Sequence, residues 1–268
     1  MNWVDHFERN RKRNHEIDTA INWRGDTVLS AEYASAIGRS LQRFEIGERG
    51  DGEVLLRKAR TGDPHYARAL ELFVAEEQQH AHLLGRSLEY LDVPPLSQHW
   101  SNSVFVSARR MFTLRWEVMV LTVAEVIALS YYAAMSQCGD PAVEAMSMRI
   151  LDDEHHHVAF QIDSLREGFA STPRTARTLL RVCWMIVAAG ATAAVALDHG
   201  PALRVCGWTR ARFSRDAWRN FRQVSPGVLA HASKKICTRS DSGSVWHASV
   251  NPSATSLSMR DSFISIRV

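Results

Sequence analysis

The chain has 268 residues, 46% of them hydrophobic, enough for one domain of ordinary size with an appendage. Its formal charge of +3 conceals an asymmetry: residues 1–167 carry 25 acidic against 18 basic side chains, whereas residues 168–268 hold 14 Lys plus Arg, four Asp and no Glu. Four scattered cysteines, Cys138, Cys183, Cys206 and Cys237, form no Cys-x-x-Cys pair, which excludes a rubredoxin-like iron–sulfur module and a zinc ribbon.

Residues 1–29 read as an N-terminal arm. Asn10-Arg11-Lys12-Arg13-Asn14 is followed by no apolar run, so nothing there resembles a secretory signal and a cytoplasmic, reducing location is expected. The first helix is expected over 30–60, weakened or bent near Glu48 by Gly47, Gly50 and Gly52. Gly62-Asp63-Pro64 then supplies a helix stop and a helix start: Gly past one helix end, Asp as the next cap, Pro in its first turn. A second helix follows over 64–91, with Ala67, Leu70, Phe73, Val74, Leu83, Leu84 and Leu88 at helical spacing. Pro94-Pro95 ends it and a crossover leads to a third helix over 107–137. That helix is apolar nearly all round between Val118 and Leu129, which predicts a central position. Gly139-Asp140-Pro141 repeats the turn, and a fourth helix over 141–169 closes an all-α four-helix bundle of two antiparallel pairs, residues 30–172.

The composition shift at Ser171-Thr172-Pro173 marks a boundary, beyond which a helical extension is expected over 173–223. Its residues 182–197 carry no charge and are bounded by Arg181 and Asp198. The run is short for a membrane span, which needs about 20 residues, and reads as a fifth helix packed on the bundle or on a subunit neighbour, with membrane insertion as the alternative. Residues 208–222 interleave arginines with aromatics and predict an amphipathic surface helix docked on the acidic domain. Contact with phosphate, a membrane surface or an acidic partner is the alternative; no nucleic-acid motif accompanies the segment, so no nucleic acid is expected. From 224 onward the chain is Ser-rich, without helical period, and a disordered tail is expected.

One pattern of metal-type side chains occurs twice, 77 positions apart. Glu48 precedes Glu77-Gln78-Gln79-His80 by the same 29 positions that separate Glu125 from Glu154-His155-His156-His157. Each Glu lies about 14 residues from its turn, which at ~1.5 Å per residue sets all of them at one height, ~20 Å along the hairpins. A Glu and a His at i and i+3 share a helix face and can point at a common centre. Glu125 sits inside the apolar run 118–129, where an unpaired carboxylate would cost several kcal/mol. No Lys or Arg occurs at the matching height of the other helices, so a metal is the economical partner. Glu45 competes with Glu48 as the ligand on the first helix, and the register favours Glu48. His82, His155 and His156 read as surface or supporting residues, because none matches a position in both copies. Tyr131 and Tyr132 read as core packing, with redox activity near Glu125 as the alternative.

On these residues the chain resembles the ferritin-like di-iron carboxylate superfamily, which includes bacterioferritins and rubrerythrins, over roughly residues 30 to 170. The resemblance implies that Glu77 and Glu154 bridge two metals, that His80 and His157 bind one each, and that Glu48 and Glu125 are terminal ligands. Oxygen-rich ligation with one imidazole per metal suits two iron ions, or iron with manganese, better than zinc. Glu76 and Asp153 are expected to accept the second ring proton of the opposite motif's histidine. Gln78 follows Glu77, so haem ligation by Met finds no support; with no iron–sulfur module either, electrons must come from a separate partner. The implied activity is a non-haem oxidoreductase acting on oxygen or peroxide, with a ferroxidase feeding an iron store as the alternative. A homodimer is the expected assembly.

Overall fold

A computed structural model describes residues 1–24, 30–50, 52–99, 106–107 and 113–229. The chain divides into two units, Met1–Ala232 and Ser233–Val268. It is helical, with no strand among the described residues. The helices are α1 (Trp3–Ala20), α2 (Ala31–Glu48), α3 (Glu53–Ala59), α4 (Pro64–Tyr90), α5 (Leu114–Met135), α6 (Pro141–Gly168), α7 (Arg174–Asp198), α8 (Gly200–Val205) and α9 (Arg210–Leu229).

Helices α2 and α4 pack together, as do α5 and α6, and α4 lies against α6. The two pairs also meet where Phe44 of α2 stacks on Tyr131 of α5, ring centroids 3.7 Å apart. Both turns form as their residues dictate. Asp63 accepts a hydrogen bond from the His65 amide at 2.9 Å, and Pro64 opens α4. Asp140 accepts from the amides of Ala142 and Val143 at 3.1 and 2.9 Å, Pro141 opens α6, and Gly139 takes the left-handed conformation, φ +85°. α5 is buried almost throughout, with Tyr131, Tyr132, Ala134 and Met135 wholly inside, so its uniform apolarity marks a core helix.

The first expected helix is broken rather than bent. α2 stops at Glu48, and Gly52, at φ +63°, starts α3. A Cβ at Gly52 would lie 2.8 Å from Cγ2 of Val74, so the position requires glycine on two counts. Gly52→Ala is expected to lower stability by about 2–3 kcal/mol, read by denaturant unfolding. An unchanged midpoint would show that the break relaxes freely.

The residues expected as an N-terminal arm fold as α1, which packs on α4 and α6. Phe7, Asn10, Asn14 and Asp18 recur at three- and four-residue steps and line its inner face. The uncharged run 182–197 lies within α7, whose Trp184 indole N–H donates to the Met119 carbonyl at 2.7 Å. Arg177 of α7 donates to the carbonyls of Phe169, Ala170 and Thr172, covering the C-terminal end of α6. The arginine-rich segment forms α9, which buries Phe213, Ala217, Phe221 and Val228 against α5, α6 and α7. This helix runs on to Leu229, past the boundary expected at 223; the rest of the expected tail lies outside the described residues.

Candidate metal centre

Three helix interiors and one helix end converge on a single point. Glu77 and His80 lie one turn apart on α4, Glu154 and His157 one turn apart on α6, Glu125 sits mid-way along α5, and Glu48 is the last residue of α2. One ligand atom from each of Glu77, His80, Glu154 and His157 lies within 4.8 Å of the others. Nδ1 of His157 is 2.7 Å from Oε1 of Glu77 and 3.6 Å from Oε2 of Glu154; Nδ1 of His80 is 3.5 Å from Oε1 of Glu154. His80, Glu154 and His157 have no solvent exposure.

Both carboxylate oxygens of Glu154 and Nδ1 of His80 are buried without a hydrogen-bond partner, while Nδ1 of His157 and Oε1 of Glu77 face each other as an ion pair at 2.7 Å. An unsatisfied buried polar atom costs about 1–3 kcal/mol, so three at one point favour a common partner. Carboxylate oxygens and imidazole nitrogens aimed together form a donor set for a transition-metal cation, and the residues fit that group. The four-residue cluster could hold a metal ion.

The remaining two glutamates lie against this cluster. Burial, and then repulsion from Glu77, raises the Glu48 carboxyl well above its ordinary pKa. Burial followed by repulsion from Glu77 and Glu154 does the same to Glu125. Glu125 is 5% exposed and accepts a hydrogen bond from Nε2 of Gln161 at 2.9 Å. For the histidines burial acts in the opposite direction and is outweighed. Asp153 and Glu154 raise the pKa of His80 to about 9, while Glu77, Glu154 and Glu76 hold His157 well above its usual value. In the metal-free protein these shifts favour imidazolium at His80 and His157, carboxylate at Glu77 and Glu154, and the protonated form of Glu48 and Glu125.

Behind the histidines stands a second layer that crosses the bundle. Nε2 of His80 donates to Asp153 at 3.0 Å, and Nε2 of His157 donates to Glu76 at 3.0 Å, so each motif's acid holds the other motif's ring. With Nε2 bonded outward, Nδ1 is the nitrogen presented to the centre. Two further residues, which the sequence reading missed, come from α1. Nδ2 of Asn10 donates to Glu76 at 2.7 Å and to Asp153 at 2.8 Å, and Nδ2 of Asn14 donates to Asp153 at 3.1 and 3.2 Å. Arg149, one turn before Asp153 on α6 and buried, pairs with Asp153 and lies 3.0 Å from Asp18 of α1. Asn10→Ala together with Asn14→Ala is expected to weaken metal binding roughly tenfold, measured by chelator competition. Unchanged affinity would confine α1 to a packing role.

The competing residues are engaged elsewhere. Glu45 is bound by the Arg49 guanidinium, with Nε donating at 2.7 Å. His82 and His155 are exposed, and His156 bonds the Asp152 carbonyl at 3.0 Å and lies against the ring of His6. Tyr131 bonds Ser40 at 2.8 Å, while the buried Tyr132 hydroxyl has no hydrogen-bond partner. No family model matches the chain, and no curated protein matches it either. Its helices and its Glu/His cluster are compatible with a ferritin-like fold.

Proposed function

We propose that Glu48, Glu77, His80, Glu125, Glu154 and His157 hold two iron ions, or iron with manganese, and that the protein is a non-haem oxidoreductase acting on oxygen or peroxide. The observation that carries this reading is the convergence of buried ligand atoms from Glu77, His80, Glu154 and His157, with both Glu154 oxygens and Nδ1 of His80 left without a hydrogen-bond partner. Glu77 and Glu154 would ligate through their carboxylates and His80 and His157 through Nδ1, with Glu48 and Glu125 adding further carboxylates. Two redox-active ions in that donor set supply the electrons with which oxygen or peroxide is reduced.

The chain's own residues provide the setting. Asp153 and Glu76 hold the Nε2 protons, fixing the tautomer and the direction of each ring. Phe73 and Phe7 flank the His157 ring at centroid distances of 4.7 and 6.2 Å and keep water from it. Glu48 and Glu125, whose pKa is raised by burial and then by repulsion from neighbouring carboxylates, would give up their protons to a bound cation. Reduction of oxygen over many turnovers requires a separate electron donor.

Anaerobic loading with ferrous iron followed by admission of oxygen tests the proposal. The wild type should consume oxygen rapidly, continue when a one-electron reductant is supplied, and deposit no mineral; Glu154→Ala should consume it at the rate of free ferrous iron. Equal rates for the two proteins would overturn the redox role, and growth of a ferric mineral would move the assignment to iron storage.

A further inference from the structure

Helices α7 and α9 lie side by side over α5, with Trp184 of α7 packed edge-on against Phe221 of α9 at 5.0 Å. Each shows the bundle one face and solvent another. On α7, Trp184, Ala188, Thr192 and Ala196 are buried. On the opposite side Leu179, Val182, Ile186 and Leu197 are 66%, 44%, 67% and 62% exposed, and the exposed Ala189, Gly190 and Ala193 fill the interval. These positions recur at three- and four-residue steps, so they form one apolar stripe about 27 Å long. No charged residue interrupts 182–197.

On α9 the outward stripe is cationic. Arg212, Arg215, Arg219 and Arg222, again at steps of three and four, are exposed, while Phe213, Ala217 and Phe221 face inward. Residues 174–229 contain nine arginines, two aspartates and no glutamate. Both aspartates are engaged: Asp198 lies 3.2 Å from Arg43, and Asp216 accepts from Ser130 at 3.0 Å and from Arg219 at 2.7 Å.

We propose that this face docks on an anionic lipid bilayer, with α7 lying lengthwise in the interface and the α9 arginines on the phosphate headgroups. The division of labour matches that of an interfacial helix, with apolar side chains for the acyl boundary and guanidinium groups for the lipid charge. α7 does not cross the bilayer in this arrangement, because its inner face is held by the Trp184–Met119 hydrogen bond and by Arg177. A second copy of the chain suits the face less well. Pairing α7 with itself would cover roughly 300 Å² per partner, against the ~800 Å² of a stable interface. It would also bring two arginine stripes near each other with no free acid between them. Nucleic acid would leave the aliphatic stripe without a partner. The proposal does not depend on the metal centre.

The test is flotation of the full-length protein with phosphatidylcholine vesicles and with vesicles that also contain phosphatidylserine. Binding to the anionic vesicles should be at least about tenfold tighter, and added salt should weaken it. Substituting Arg212, Arg215, Arg219 and Arg222 together by Gln should abolish the preference for phosphatidylserine. Substituting Leu179, Ile186 and Leu197 together by Gln should reduce binding to both vesicle types at least about tenfold. These side chains are exposed, so helix content by circular dichroism should remain unchanged in both variants. Absence of vesicle binding by the wild type would overturn the proposal. So would a stable dimer in vesicle-free solution that the Leu179, Ile186 and Leu197 variant converts to monomer, which would assign the face to a second copy.

Discussion

Asp153→Ala is expected to weaken metal binding about 10- to 100-fold although Asp153 touches no metal. Its carboxylate receives Nε2 of His80, the amides of Asn10 and Asn14, and the Arg149 guanidinium. Burial opposes ionisation of this group, but the hydrogen bond and charge of His80 and the charge of Arg149 outweigh it and hold Asp153 well below the carboxylate range. Removing the carboxylate frees the His80 ring to rotate and leaves Arg149, 4% exposed, with Asp18 as its remaining acid. Breaking a buried ion pair of this kind costs about 3–5 kcal/mol, so metal-free Asp153→Ala should also unfold at lower denaturant concentration. Asp153→Asn, which keeps the volume, should recover part of the stability but not the metal affinity. Full affinity in the alanine variant would show that His80 is oriented by packing alone.

Metal uptake should release protons, and affinity should fall steeply with acid. In the metal-free protein His80 titrates at about 9, and Glu48, Glu125 and His157 are raised well above their ordinary values. The raised values favour the protonated form that a cation must displace, whereas the lowered values of Glu77 and Glu154 favour the ionised form. Loading at pH 7 is therefore expected to release protons, including the one held by His80. Each released proton makes affinity drop roughly tenfold per pH unit. Titration with metal in a pH-stat measures this directly, and uptake without proton release would contradict the charge balance described for the cluster. The sign for stability is separate. A raised His80 stabilises the metal-free fold fully below its unfolded pKa of 6.5, and that contribution disappears as pH rises through about 9. Asp153 and Glu154 behave oppositely, stabilising above their unfolded pKa and losing that contribution as pH falls.

The parts of this arrangement that could be read from the sequence are those with a strong local signal. Gly-Asp-Pro carries its own stop, cap and start, and the helices that follow each copy begin at Pro64 and Pro141. The positions of Glu125 and of the two Glu-x-x-His motifs follow from rigid helix geometry once those turns are placed. What escaped reading depends on side chains of weak local character. Asn10 and Asn14 are neutral and common on surfaces, and they gain meaning only where α1 presses them between Glu76 and Asp153. The three- and four-residue steps from Phe7 through Asn10 and Asn14 to Asp18 were the available signal, hidden among the charges of residues 8–16. Arg149 was missed for a related reason: a buried arginine cannot be told from an exposed one until its acids, here Asp153 and Asp18, come together. The break at 48–53 was legible as weakness but not as a break, since it rests on the close approach of Val74 to Gly52.

The proposed two-metal centre is built from Glu48, Glu77, His80, Glu125, Glu154 and His157. Its most direct test is the metal content of full-length protein purified without chelators, beside a Glu77→Ala, Glu154→Ala double variant. About two iron or manganese ions per wild-type chain, and none in the variant, are expected. Wild-type protein that holds no stoichiometric metal, even after anaerobic loading with ferrous iron, would contradict the proposal.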